Sequence, residues 1–225
     1  MFSWMYNWGS NCQHGCDDAI NLPFLPMLHD NQGGTVDWEA NVDVAIRNGA
    51  RHVFSFNEPD QCGGGGACMQ DSEQTAQDHK KWIEPLTSKY PHVKFGAPAV
   101  TNGELSENNT AMGIPYLKKF LEHCDTCQID FVVAHWYDAP ENTAYFYKHL
   151  EDFYEAGGHR KVWLTEFGAK GDQAAQAKFL AEVLPWLDSK DWIERYAYHY
   201  AAPGFMITDD SNGLSPVGRV YAGVA

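Results

Sequence analysis

Two glutamates follow short apolar segments of this sequence and could do acid–base or nucleophilic chemistry. The segment 51–56 runs into Asn57-Glu58-Pro59, and the segment 161–164 runs into Thr165-Glu166. Both segments are rich in β-branched and aromatic residues and too short for helices, which predicts buried strands. A carboxylate at the end of a buried strand is partly desolvated, and this costs free energy unless the carboxylate has a role or a partner.

A pair of carboxylates facing each other is what the cleavage of a glycosidic bond requires. One carboxyl group protonates the leaving oxygen, and the other stabilises or attacks the anomeric centre. The alternative is that Glu58 and Glu166 are buried partners of Arg or Lys. The other predicted strands end instead in Asn, His, Tyr and Trp, at Tyr6-Asn7-Trp8, His135-Trp136-Tyr137 and Tyr198-His199-Tyr200. The catalytic interpretation is therefore favoured.

Strand-like segments alternate with amphipathic helix-like segments along the chain. Strands are predicted at 2–8, 51–56, 93–100, 129–137, 161–167 and 195–200, with a weaker one at 22–28 because Pro23 and Pro26 interrupt it. Helices are predicted at 37–48, 71–89, 114–123, 143–156 and 172–189. This alternation predicts parallel strands joined by crossover helices.

The predicted fold class is α/β, as a compact (β/α)8 TIM-type barrel that forms a single catalytic domain over residues 1–225. An open doubly wound sheet is the alternative. Seven strands at most are visible, so one strand is expected to be short, missing near the N-terminus, or hidden in 204–213, which reads as a hairpin or loop. In a barrel the carboxyl ends of the strands meet on one face, so Glu58 and Glu166 are expected to converge there.

The motifs around the two glutamates resemble those of the clan A glycoside hydrolases. They are Phe-Asn-Glu-Pro-Asp at 56–60 and Trp-Leu-Thr-Glu-Phe-Gly at 163–168, with Trp-Met-Tyr-Asn-Trp at 4–8 and His-Trp-Tyr at 135–137. More closely, nearly the whole chain resembles glycoside hydrolase family 128, whose members are β-1,3-glucanases. The resemblance implies a retaining endo-β-1,3-glucanase with Glu58 as acid/base and Glu166 as nucleophile. It also implies a β-glucan polysaccharide or oligosaccharide as the partner.

The resemblance also implies substrate-binding residues beside the two glutamates. Asn57 is similar to the clan residue that bonds the 2-hydroxyl of the sugar being cleaved. Tyr137, which alternates with His135 along its strand, is placed to hydrogen-bond Glu166. Candidate sugar platforms are Trp8, Trp136 and Trp163, of which at least one is expected to be core, and further candidate contacts are Asn7, His135 and Tyr200. His135 and His199 do not complete a set of three metal ligands, so no metal and no cofactor are expected.

The charge and composition are compatible with an uncharged sugar as ligand. The chain has 16 Lys+Arg against 30 Asp+Glu, a net charge of −14, whereas nucleic acids and anionic membranes favour a basic surface. We therefore expect neither as a partner. The 8 Trp, 11 Tyr and 12 Phe suit stacking on sugar rings, although they would equally fill a large core. Nothing in the sequence requires more than a monomer.

Six cysteines occur as three close pairs, Cys12 with Cys16, Cys62 with Cys68, and Cys124 with Cys127. Local pairs in an even number favour disulfides formed in an oxidising compartment, so the protein is expected to be secreted or located in the cell wall, with any leader removed. The alternative for the C-x-x-C spacing of Cys124 and Cys127 is a zinc or redox site.

Two other functions stay open from the sequence. Loops that the motifs do not describe set the preferred linkage, so the chain could be a retaining hydrolase of another β-glycan. A catalytically silent glucan-binding protein of the cell wall is the alternative outside the enzymes. Binding alone does not require both Glu58 and Glu166, which argues against that alternative.

Overall fold

The structure is a computed structural model, and it describes residues 2–12 and 21–224 of the chain. The chain forms two compact units, which divide between Val133 and Ala134. The organisation of residues 1–225 as a single catalytic domain stays a prediction. Among the described residues, no helix is both long enough and apolar enough to cross a membrane.

The first unit alternates short strands with helices. Its elements are a 3-10 helix (Gly33–Thr35), α1 (Trp38–Arg47), β1 (His52–Val53), β2 (Cys62–Gly63), β3 (Gly66–Ala67), α2 (Ser72–Trp82), α3 (Glu84–Lys89), β4 (Lys94–Val100) and α4 (Gly113–His123). Strand β5 (Phe131–Asp138) begins in this unit and ends in the second. Apolar side chains from α1, β1 and β4 meet in one buried cluster that includes Val42, Val53 and Phe95.

The two strands predicted nearest the N-terminus form only single bridges in the described residues. Met5 bridges Phe24, and Met27 bridges Phe54, both in parallel. Proline has no backbone N–H, so Pro23 and Pro26 cannot donate to a ladder. Their carbonyls still accept from Met5 and Phe54, at 3.2 and 2.9 Å. The two prolines therefore explain why the segment 22–28 forms single bridges and not a regular strand.

The helix predicted over 71–89 is divided into α2 and α3 at Ile83. Pro85 lies in the first turn of α3, where a missing N–H breaks no helical hydrogen bond. At the other end, the Asp71 side chain accepts from the backbone N–H groups of Glu73 and Gln74 and so caps α2.

The second unit follows the predicted pattern more closely. After β5 come α5 (Thr143–Ala156), β6 (Lys161–Ala169), α6 (Gln173–Ser189), β7 (Ile193–Tyr198) and α7 (Pro216–Tyr221). Helix α5 has the predicted bounds, whereas the short α7 was not predicted. The segment 204–213 is a loop, as one of its two interpretations expected, with a bridge from Ile207 to Leu214.

Among the residues that the structure describes, five strands make up the main sheet, in the order β1-β4-β5-β6-β7. Pairing is parallel between β1 and β4 and between β6 and β7, whereas β2 and β3 form a separate antiparallel hairpin. Strands β4, β5 and β6 are buried over most of their length, as expected when both faces of a parallel sheet are covered. The predicted α/β class and the shortage of strands are confirmed.

Two of the three predicted disulfides are confirmed. Cys62 is bonded to Cys68, and Cys124 to Cys127. Because Cys124 and Cys127 are joined to each other, neither offers a thiolate to zinc. Cys16 lies outside the described residues, so its pairing with Cys12 stays a prediction.

Candidate active site

In the first unit, Glu58 lies just beyond β1, where the chain leaves the sheet. Its backbone N–H donates to the carbonyl of Ala99 at 2.8 Å, and the preceding Asn57 bridges Ala99 in parallel. Glu58 has a φ of +41°, a left-handed conformation that costs a non-glycine residue about 1 kcal/mol or more. Backbone strain of this kind persists where surrounding contacts hold the chain, so the direction of the Glu58 side chain is set by its neighbours.

The Glu58 and Asn57 side chains both contact the loop that follows them. The Gln61 side-chain amide donates from Nε2 to Glu58 Oε2 at 3.1 Å. Asn57 donates from Nδ2 to the carbonyl of Gly65 at 3.1 Å. Asn57 Oδ1 is buried and accepts no hydrogen bond within the described part of the chain. A buried polar atom without a partner is costly, so the role of Asn57 in binding a sugar hydroxyl stays a prediction.

Asp60 is a fully buried carboxylate two residues after Glu58. Its Oδ2 accepts from the Thr101 N–H at 3.1 Å, from Thr101 Oγ1 at 2.7 Å and from the Gly113 N–H at 2.7 Å. Burial raises the pKa of Asp60 above its ordinary value, against the opposing effect of these hydrogen bonds. Asp60 thus ties the Glu58 segment to the chain after β4, a role that sequence reasoning did not find.

In the second unit, Glu166 lies on β6 at an irregularity of the strand pairing. Leu164 is opposite Tyr196 and Phe167 is opposite Tyr198, so three steps along β6 match two steps along β7. An extra residue of this kind is a β-bulge, which interrupts the alternation of side chains and often lies beside an active site. Here Thr165 and Glu166 are consecutive, yet both side chains contact residues of β5.

The Glu166 carboxylate has two polar neighbours on β5. The Tyr137 hydroxyl donates to Glu166 Oε1 at 2.5 Å, and His135 Nδ1 lies 3.8 Å from Glu166 Oε2. The other ring nitrogen of His135, Nε2, lies 3.0 Å from Thr165 Oγ1. His135 and Tyr137 therefore lie on the same face of β5, as their alternation predicts. The hydrogen bond from Tyr137 to Glu166 is the one expected from the sequence.

Two of the candidate sugar platforms are core residues. Trp136 is fully buried and stacks on Phe179 of α6 with ring centroids 5.4 Å apart. Trp163 is also fully buried, and its Nε1 donates to Glu194 Oε2 at 2.9 Å. Neither ring offers a surface on which a sugar could stack in this structure. Trp136 lies opposite His135 and Tyr137 because successive residues of a strand point to opposite faces.

The remaining candidate contacts are partly exposed. Asn7 bonds within its own loop, to the Asn11 carbonyl and the Gly9 N–H at 3.0 and 3.1 Å. Trp8 contacts Tyr6 edge to face, with ring centroids 5.6 Å apart. In the second unit, Tyr200 lies between His199 and Phe205, with centroid distances of 4.4 and 4.5 Å. Trp8 and Tyr200, like Tyr137, are therefore partly exposed, unlike Trp136 and Trp163.

Three ligand-type side chains of the first unit, His79, Cys124 and Cys127, have donor atoms within 4.8 Å of one another. The disulfide between the two cysteines leaves no thiolate there. Burial lowers the pKa of His79 to about 3, so its imidazole is neutral. Its Nδ1 lies 3.0 Å from Ser55 Oγ. The group therefore does not fit a metal ion in its oxidised state.

Comparison with known proteins identifies the family and the fold of the chain. Residues 1–221 match the family model described as "Glycosyl hydrolase catalytic core". The structure is similar to a GH128 (subgroup III) curdlan-specific exo-β-1,3-glucanase from Blastomyces gilchristii, with 32% identity and a TM-score of 0.81, over 98% of this chain and 88% of that chain. A GH128 (subgroup II) endo-β-1,3-glucanase from Sorangium cellulosum shares the fold, with 24% identity and a TM-score of 0.80, over 99% and 90% of the two chains.

The class defined by these matches is that of the glycoside hydrolases. The chain belongs to the glycosyl hydrolase catalytic core family and, within it, to glycoside hydrolase family 128. The predicted TIM-type fold with a missing strand is confirmed by the same structures.

A curated relative of greater length also matches. It is the Alkali-sensitive linkage protein 1 of Schizosaccharomyces pombe, which is 26% identical over 236 residues that include 97% of this chain. The chain spans about two fifths (40%) of the length of that relative.

Proposed function

We propose that this chain hydrolyses β-1,3-glucan with retention of configuration, with Glu58 as acid/base and Glu166 as nucleophile. The observation that carries the proposal is the hydrogen bond from the Tyr137 hydroxyl to Glu166 Oε1, at 2.5 Å. A phenol that donates to a carboxylate favours its ionised form and fixes its orientation. Both properties are what a carboxylate nucleophile needs.

The proposed reaction proceeds in two displacements. Glu166 attacks the anomeric carbon while Glu58 gives its proton to the leaving glycosidic oxygen, and a glycosyl-enzyme ester forms. Glu58, now ionised, then takes a proton from water, and the water oxygen attacks the anomeric carbon and releases Glu166. The Asn57 side chain is proposed to bond the 2-hydroxyl of the same sugar, as the resemblance to the clan A enzymes implies.

The substrate is proposed from the family and from the named relative. The protein from Blastomyces gilchristii is a curdlan-specific exo-β-1,3-glucanase, which supports β-1,3-glucan as the substrate class. We also propose the endo mode that the family resemblance implies. The enzyme from Blastomyces gilchristii does not support this part of the proposal, because an exo-glucanase acts at chain ends. A secreted or cell-wall location is proposed from the disulfides Cys62–Cys68 and Cys124–Cys127, which persist in oxidising compartments.

The first experiment measures reducing-end release from β-1,3-, β-1,4- and mixed-linkage glucans by the wild type and by Glu166→Gln. We expect release from β-1,3-glucan, and a loss of at least about a thousandfold in the variant, because the amide cannot form the ester. The matched control is Glu182→Gln, at an exposed position on α6. Equal activity of wild type and Glu166→Gln would contradict the assignment of the nucleophile.

Product analysis tests the finer parts of the proposal. Retention requires carboxylates about 5–5.5 Å apart and gives the β-anomer first, which NMR detects before mutarotation. On a glucan labelled at its reducing end, an endo-acting enzyme produces labelled oligosaccharides of several lengths. An exo-acting enzyme releases one short product instead. Initial α-anomer would show inversion and refute the double displacement.

The competing function is glucan binding without hydrolysis. It predicts that the wild type retains insoluble β-1,3-glucan in a pull-down assay but releases no reducing ends from any glucan. The experiment above therefore separates the two functions with one preparation of protein.

A further inference from the structure

The segment directly after the Glu58 motif is a glycine-rich loop closed by a disulfide. We call residues 61–68, with the sequence Gln-Cys-Gly-Gly-Gly-Gly-Ala-Cys, the glycine loop. Its ends are joined by the bond from Cys62 to Cys68, and its middle forms the hairpin of β2 and β3. Four successive glycines give the loop little intrinsic order, so the disulfide and the hairpin must hold its shape.

The glycines allow the loop to pack closely against Glu58 and Gln61. A Cβ atom on Gly66 would lie 2.4 Å from the Gln61 carbonyl oxygen and 2.9 Å from the Glu58 carbonyl oxygen. A Cβ on Gly64, whose φ is +59°, would lie 2.9 Å from Gln61 Nε2. Side chains at these two positions would therefore displace the backbone of Glu58 or the amide of Gln61.

Both N–H groups of the Gln61 side-chain amide are used within this segment. Nε2 donates to Glu58 Oε2 at 3.1 Å and to the Gly63 carbonyl at 3.3 Å. A carboxylate and a carbonyl are both acceptors, so the amide nitrogen, and not the amide oxygen, must face them. The Gly63 carbonyl thus fixes the orientation in which Gln61 donates to Glu58.

We propose that Gln61 is a positioning residue that keeps the transferable proton of Glu58 on Oε1. This inference rests on the proposed function of Glu58 as acid/base. An amide N–H donates preferentially to the carbonyl oxygen of a carboxylic acid, because that oxygen is a better acceptor than the hydroxyl oxygen. Because Gln61 donates to Oε2, Oε1 is the oxygen that carries the acid proton and transfers it to the glycosidic oxygen. After the proton has been transferred, the same bond holds the carboxylate for its role as base.

The glycine loop also orients Asn57, which supports the inference from a second contact. The Gly65 carbonyl accepts from Asn57 Nδ2 at 3.1 Å, which fixes the orientation of the Asn57 amide. One loop therefore fixes both the acid/base and the residue proposed to bind the 2-hydroxyl. The disulfide thus stabilises, and the four glycines allow, the loop conformation that contacts Asn57 and Glu58.

The test is the substitution Gln61→Met, which has similar length but no N–H donor. We expect kcat on β-1,3-glucan to fall about tenfold with KM changed less than twofold, because general acid catalysis contributes about 10²- to 10⁴-fold and only its alignment is lost. With a 2,4-dinitrophenyl β-laminaribioside, the leaving group needs no proton. The rate of the dinitrophenolate burst should therefore stay within twofold of the wild type.

Two further variants show whether an unexpected result contradicts the role of Glu58 or only that of Gln61. Gln74→Met removes another glutamine-to-carboxylate bond, from Nε2 to Asp78 Oδ1 at 3.5 Å on α2, and should leave both rates unchanged. Glu58→Gln should abolish glucan hydrolysis and keep the burst. If Glu58→Gln still hydrolyses glucan, the proposed function of Glu58 fails, and the role of Gln61 with it. If Glu58→Gln behaves as expected, the inference about Gln61 is overturned when Gln61→Met keeps full glucan activity or loses both rates equally.

Discussion

At the scale of single residues, the two proposed catalytic carboxylates receive hydrogen bonds from different kinds of neutral donor. Glu166 receives one from the phenol of Tyr137, and Glu58 receives one from the carboxamide of Gln61. A phenol gives up a proton more readily than an amide and is the stronger donor, so it suits a carboxylate that must stay ionised. A carboxamide does not release its proton, so it can orient a group that itself gains and loses one.

The substitution Tyr137→Phe tests the role of the phenol. A hydrogen bond to a charged group contributes about 1.5–3 kcal/mol, so we expect kcat/KM on β-1,3-glucan to fall about 10- to 100-fold. The matched control is Tyr196→Phe, which removes the bond from Tyr196 to Asp188 Oδ1 at 2.7 Å. Equal losses in the two variants, or none in Tyr137→Phe, would contradict a specific effect on Glu166.

The residues around Glu166 illustrate what alternation along a strand predicts. The contact of Tyr137 with Glu166 follows from the positions of His135 and Tyr137 on one face of β5. The same alternation places Trp136 on the opposite face, in the core, although its type alone suits a sugar platform equally well. Gln61 could not be predicted in this way, because its contact with Glu58 depends on the conformation of the glycine loop.

At the scale of elements, local patterns predicted the helices and the central strands well. Strands β4, β5 and β6 are apolar runs, which identify buried strands independently of their partners. Strand β1 has only two residues, and the segments around Met5 and Met27 form single bridges. Hydrogen bonds in such segments depend on neighbours distant in sequence, and no local pattern reports them. The division of α2 from α3 was visible in Pro85 but was not predicted.

The cap of α2 provides a prediction at the same scale. Asp71 accepts from two backbone N–H groups, at 3.0 and 3.2 Å, and the loss of such a cap costs about 1 kcal/mol. We expect Asp71→Ala to lower the free energy of unfolding by that amount in urea denaturation, with the m-value unchanged. Asn142→Ala is the control, since Asn142 precedes α5 without a side-chain cap. An equal loss in both variants would show that the hydrogen bonds of Asp71 do not stabilise α2.

At the scale of the whole molecule, buried neutral histidines connect stability to pH. Burial lowers the pKa of His79 to about 3 and that of His149 to about 4. In the unfolded chain a histidine titrates near 6.5. Below this pH the unfolded state binds protons that the folded state does not bind, so stability is lost as pH falls. The contribution is fully present above about pH 6.5 and declines toward the pKa values of the folded state.

The substitution His79→Gln tests this linkage. Each pH unit between the two pKa values changes the free energy of unfolding by about 1.4 kcal/mol for each histidine. From pH 6.5 to 4.5, His79 should therefore account for about 2 to 3 kcal/mol of the loss in the wild type. A packing defect left by His79→Gln would lower the free energy of unfolding equally at every pH. The measurement is therefore the slope of the free energy of unfolding against pH, taken from urea denaturation at several pH values. The slope should be shallower in His79→Gln and unchanged in His92→Gln, where the histidine is exposed. Parallel curves for the wild type and His79→Gln would mean that His79 is protonated in the folded state, and that the buried imidazole has a partner for its charge.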